Sequence, residues 1–156
     1  MKTIYTAITA QLKEKVPALR WIDFDKGQLE AVERPPVAFP CALISISVTG
    51  SNNITDHIQD CAGRVLVRLA FDQQMKTDSA TPPNHLEKAL EPYDVIADVY
   101  AALQGFGTPH FDALSRTRQN KENSRNGLFI YFIEFAVNFE DETANTTIIS
   151  NTAPNE

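Results

Sequence analysis

Phe129-Ile130-Tyr131-Phe132-Ile133-Glu134-Phe135-Ala136-Val137-Asn138-Phe139 is the stretch that decides the fold. Successive side chains of an extended strand point to opposite faces. Phe129, Tyr131, Ile133, Phe135, Val137 and Phe139 then share one face, and Leu128, Ile130, Phe132, Glu134 and Ala136 the other. Both faces are apolar at the start, which predicts a strand that is central in its sheet there. Just upstream, residues 119–127 are polar and end in Asn126-Gly127, a hairpin-turn signal. Phe111 to Thr117 is expected as a further short strand.

A second strong pattern lies earlier. Ala42, Ile44, Ile46 and Val48 alternate with Cys41, Leu43, Ser45, Ser47 and Thr49, with a turn cluster at Gly50-Ser51-Asn52-Asn53. From about Ile58 to Phe71, Val65, Val67, Leu69 and Phe71 share a face opposite Arg64, Leu66, Arg68 and Ala70. Two such runs joined by a short polar loop predict a long antiparallel hairpin. Arg20 to Asp25 is a shorter strand-like run ending in the turn Asp25-Lys26-Gly27.

Helices frame these strands. Ile4, Ile8, Leu12 and Val16 recur every four residues, and Pro17 should stop that helix. Leu86, Leu90, Tyr93, Ile96, Ala97, Tyr100 and Leu103 trace a second helical stripe. Asn84 and Glu87 resemble its capping pair, Pro92 should kink or restart it, and Gly105-Phe106-Gly107 should close it. The order predicts an α+β domain: a mainly antiparallel sheet of four or five strands with two helices packed on one face. The expected buried core is Ile8, Leu12, Ile44, Ile46, Val67, Leu69, Leu90, Ile96, Leu103, Ile133 and Phe135. Residues 1–140 read as the single domain, and 141–156, rich in Thr and Asn without periodicity, as a flexible polar tail.

Composition bounds the function. The 156 residues carry a net charge of −6, and three of the acids lie in the last sixteen residues with no base. A mildly acidic body does not look like a general nucleic-acid binder. No apolar run reaches the length of a membrane span, and the N-terminal stretch does not read as a secretory signal. Cys41 and Cys61 lack CxxC spacing. They read as buried free thiols, with Cys41 facing the mid-sixties of its partner strand rather than Cys61. His57, His85 and His110 show no HxH or HxxxH pairing, so a metal site with Asp60 or Asp112 has no support in the spacing. There is no GxSxG elbow, and Gly105-Phe106-Gly107 lacks the third glycine of a dinucleotide fingerprint. No catalytic, metal-binding or cofactor-binding residue is assigned. The local charge bias is Arg116, Arg118, Lys121 and Arg125 against Glu122. With Asn52 and Asn53, these four bases are the candidate subunit or partner contacts. Loops at 50–57, 73–85 and 119–127 are long for so small a domain, and such loops on a rigid sheet bind partners or are tolerated insertions.

The order of these elements resembles the tail-terminator and tail-completion proteins of tailed bacteriophages. The resemblance rests on the helix Ile4 to Val16, Trp21-Ile22, and the approach Arg34-Pro35-Pro36-Val37-Ala38-Phe39-Pro40 into Cys41-Ala42-Leu43-Ile44. It continues through Arg64-Val65-Leu66-Val67-Arg68-Leu69, Tyr100-Ala101-Ala102-Leu103-Gln104-Gly105-Phe106, and the strand Phe129 to Phe139. It implies a non-enzymatic subunit of a phage or prophage that forms a ring, commonly six-fold. Such a ring caps the tail tube and meets the head–tail connector protein. The implied partners are further copies of itself, the tail tube protein and the connector, with no membrane, specific nucleic acid or cofactor. The implied setting is the bacterial cytoplasm during assembly and then the virion tail. The alternatives are another head–tail connection or baseplate component, or a small-ligand-binding or enzymatic α+β domain.

Overall fold

The computed structural model describes residues 1–72 and 76–145. Its order is α1 (Lys2–Lys15), β1 (Trp21–Phe24), β2 (Cys41–Asn53), β3 (Gln59–Phe71), α2 (Pro83–Leu103), β4 (Ser115–Glu122) and β5 (Phe129–Asp141), with one 3-10 turn at Gln28–Glu30. The five strands form one sheet in the order β1-β2-β3-β5-β4, an α+β fold. Only β1 and β2 are parallel.

The two faces of the sheet are covered differently. Val65, Val67, Leu69, Ile133, Phe135 and Val137 pack under α1 (Ile4, Ile8, Leu12) and α2 (Ile96, Val99, Leu103). On the other face Cys41, Leu43, Ala70, Leu128 and Ile130 are covered by Leu29, Val37 and Phe39 from the proline-rich segment. The start of β5 is thus buried on both sides, as its two apolar faces require. Strands β2, β3 and β5 have 13 residues each. They outrun β1, which pairs only with Cys41 to Ile44, and β4, whose ladder spans Ala136 to Ile130 of β5. The overhanging end forms a three-stranded arm.

Several expectations change. Gly50 to Asn53 are strand, not turn: they pair with Ala62 to Gln59 after a bulge at Thr49. Small polar residues with little strand propensity hold here because β3 supplies the ladder. The turn itself falls on 54–58, where the Thr55 hydroxyl accepts the His57 and Ile58 N–H groups. The last-but-one strand is not Phe111 to Thr117 but β4, so residues 119–122, expected as loop, are strand. Instead, Gly105 to Leu114 folds as a compact turn. The Gly105 N–H donates to Leu114 O (2.8 Å) and the Leu114 N–H to Phe106 O (2.9 Å).

Helix α2 runs continuously through Pro92 rather than restarting there, and among the described residues no side chain caps its N-terminus. Pro82 and Pro83 begin it, with a φ already suited to a first helical turn. Its buried stripe is Pro92, Ile96, Val99, Ala102 and Leu103. Leu90 and Tyr93 are 40% and 45% exposed, so Leu90 leaves the expected core, and Ile46 is only half-buried. Gly105 does close the helix, at φ +76°. Both cysteines are buried and free; Cys41 pairs with Ala70, further along β3 than expected, on the opposite face from Cys61. Asp141 closes β5 rather than opening the tail, and residues 146–156 of the proposed tail lie outside the described residues.

Candidate subunit-contact surface

Two ionic centres, one buried and one half-buried, organise the helix-free face. Glu134, the one charge in the apolar run of β5, is 6% exposed. Its carboxylate accepts the Thr117 hydroxyl (3.0 Å) and the Arg118 guanidinium (3.2 Å), with Arg64 at 3.3 Å from β3. Burial pushes its acidity down, but the bonds from Thr117 and Arg118 and the charge of Arg64 outweigh this, so its pKa lies below the ordinary 4.5. The bulge between Arg116 and Arg118 lets Thr117 and Arg118 both reach the same carboxylate.

Arg68 is the second centre. Its guanidinium donates to Asp25 (2.9 Å), Glu30 (2.8 Å) and Glu122 (2.8 Å). Burial opposes its charge, and the three carboxylates outweigh that, holding it protonated well above its ordinary range. The clasp ties the turn after β1, the 3-10 turn and the end of β4 to the middle strand. Neither Glu134 nor Arg68 is singled out by spacing alone. The signal available was a lone acid inside an apolar strand, which a buried position must pair.

The six candidate contact residues do not form one cluster. Asn52 and Asn53 end β2 on the arm, opposite Asp60 and Gln59. Arg116, Arg118 and Lys121 lie on β4, at the far edge of the sheet, and Arg125 is exposed in the β4–β5 turn. Arg118 is engaged by Glu134 and lies over the Phe132 ring. Arg116 turns to the helix side and stacks on Tyr100 of α2, 3.9 Å from the ring centroid. Lys121 lies 5.9 Å from the Phe129 ring centroid, and that ring in turn packs on Tyr93.

The charges are segregated. Residues 115–125 hold four bases and one acid, whereas the arm's 54–63 and 137–142 hold five acids and no Lys or Arg. Among the described residues, none of Asp56, Asp60, Glu140, Asp141 and Glu142 pairs with a Lys or Arg. His57, His85 and His110 are all exposed. Among the described residues no group of three or more His, Cys, Asp or Glu side chains is arranged to hold a metal ion. No helix among them is long and apolar enough to cross a membrane.

No family model matches the chain, and no curated protein matches it in sequence. Among solved structures it is similar to a chain described as "Virion of native gene transfer agent (GTA) particle". That likeness has a TM-score of 0.51 at 13% identity and covers 88% of this chain and 95% of that chain. It extends over nearly the whole of both chains, and at that identity it is a likeness of fold.

Proposed function

We propose that this chain is a structural subunit of a phage or prophage tail, which closes the tail tube as a ring and joins it to the head connector. The observation that carries the reading is the shared fold with a chain of a virion, spanning nearly all of both chains. The charge segregation supports it. A ring built from one kind of subunit needs two different, complementary surfaces, because head-to-tail contacts are what close a cycle. A basic sheet edge and an acidic arm on the same chain meet that need. The partners are further copies of this chain, in a ring that is commonly six-fold, the tail tube protein below and the connector above. No catalytic step is assigned: Cys41 and Cys61 are buried, and burial pushes the Cys41 thiol up to about 11, where it is a poor nucleophile.

Deletion of the gene tests the reading by electron microscopy of the particles made. The expected result is filled heads accumulating apart from tails. Normal joined particles would remove the function. The neighbour's description specifies a virion and no position within it, so a head–tail connection or baseplate role is the second reading. Loss of the distal tail structure, with the head-proximal end intact, would favour the baseplate.

A further inference from the structure

We propose that the three-stranded arm of one copy docks on the β4–α2 edge of the next copy, and that this contact closes the ring. The inference rests on the ring reading and specifies its interface. The arm consists of Val48–Asn53, Gln59–Gly63 and Val137–Asp141, with its connecting turn. Neither β1 nor β4 reaches it. It exposes Val48 (47%) at its base and Ile54 (53%) at its tip, with Asp60 opposite Asn52 between them and Asp56 in the connecting turn. The receiving edge offers the matching chemistry. Leu90 and Tyr93 are exposed along α2; on β4, Lys121 lies over the Phe129 ring that packs on Tyr93, and Arg116 lies over Tyr100, further along the same helix. An apolar surface carrying carboxylates therefore faces an apolar surface carrying cations. The apolar pairs supply affinity, and the charges fix register and exclude arm-to-arm and edge-to-edge pairing.

The contact runs through side chains rather than by strand addition. The β4 amide of Arg116 already donates to Gln104 Oε1 (2.9 Å), and that of Lys121 to Asn120 Oδ1 (2.8 Å). Bulges in β2 and β4 blunt both edges further. Leu90 and Tyr93, which are exposed among the described residues, thereby gain an occupant.

The two surfaces cannot meet within one copy. Lys121 is opposite Tyr131, which is opposite Leu69, nine residues along β3 from Asp60. At the strand rise that separation is about 30 Å. A zero-length carbodiimide amide between Lys121 and Asp56 or Asp60 therefore reports contact between copies. The full chain, mixed from isotopically light and heavy preparations at millimolar concentration and low salt, should yield a mixed-isotope peptide joining Lys121 to Asp56 or Asp60. Raised salt should abolish it. A charge-swap pair gives an independent readout. Asp56→Lys with Asp60→Lys, and Arg116→Glu with Lys121→Glu, should each lose self-association in sedimentation, and their mixture should regain it. Absence of the cross-linked peptide, or a mixture that stays monomeric while the parent chain associates, overturns the proposal. If gene deletion separates heads from tails but the cross-link is absent, the ring reading stands and this interface falls. If the cross-link forms but deletion leaves normal particles, the interface stands and the tail function falls.

Discussion

Replacing Phe135 with alanine probes the centre of the fold. Phe135 is 0% exposed and is among the largest fully buried side chains. It pairs with Val65 on β3 and Arg116 on β4, and its ring enters the cluster shared with α1 and α2. Truncation removes the ring's transfer free energy and leaves a cavity that a sheet flanked by two helices cannot collapse. Such changes cost about 3–5 kcal/mol. For a chain of 156 residues, each kcal/mol lowers the melting temperature by about 2–4 °C, so the expected fall is about 6–20 °C. The assay is denaturant unfolding, read as a lower midpoint at unchanged slope, together with thermal unfolding followed by circular dichroism. Leu90→Ala is the internal control, because Leu90 is exposed, and should cost less than about 1 kcal/mol. A Phe135→Ala loss below about 1 kcal/mol, or one matched by Leu90→Ala, would refute the placement of β5 at the centre of the core.

Three further outcomes follow from the same structure. Glu134→Gln should destabilise the chain by about 1–3 kcal/mol at neutral pH, since it weakens a buried, charge-assisted set of bonds. The folded-state pKa of Glu134 is depressed, so its contribution is present above the unfolded-state value and is lost as pH falls through the folded one. The gap between parent and variant should therefore narrow below about pH 4, and a gap that widens in acid would contradict the assignment. Gly107→Ala should cost about 1–3 kcal/mol, because a Cβ there would lie 2.9 Å from the Ala113 nitrogen. Gly50→Ala has nothing within 4 Å and should cost far less, so equal losses would count against the turn at 105–114. Both thiols should resist a disulfide reagent in the folded protein and react only on unfolding. Rapid reaction of Cys41 or Cys61 under native conditions would show that its strand is misplaced.

The layout of the fold was legible where burial writes a period into the residues. Strand β5, the β2–β3 hairpin and α1 carry such periods, and Pro17 and Gly105 stop their helices where expected. Strand β4 was not legible because Ser115 to Lys121 are all exposed, so no apolar alternation marks them. Its existence depends on β5 offering a free ladder, which is a tertiary fact. The end of β2 was hidden for the same reason: Gly-Ser-Asn-Asn signals a turn locally, and pairing with β3 overrides it. Of the stripe read along α2, Ile96 and Leu103 are buried as expected, whereas Leu90, Tyr93 and Ala97 are exposed, and the apolar residues alone do not say which side of the helix meets the sheet. The charge bias at 116–125 was visible in the sequence. Its division between Glu134, Tyr100 and an open edge was not, since that depends on a bulge of one residue.

The proposed function gives this chain a definite position in a particle, and labelling locates it. A copy of the chain bearing a small affinity tag for gold can be assembled into particles and imaged by electron cryomicroscopy. The expected label is confined to the head-proximal end of the tail, with several copies per particle at one level. Label spread along the tube, label at the distal end, or particles without label would contradict it.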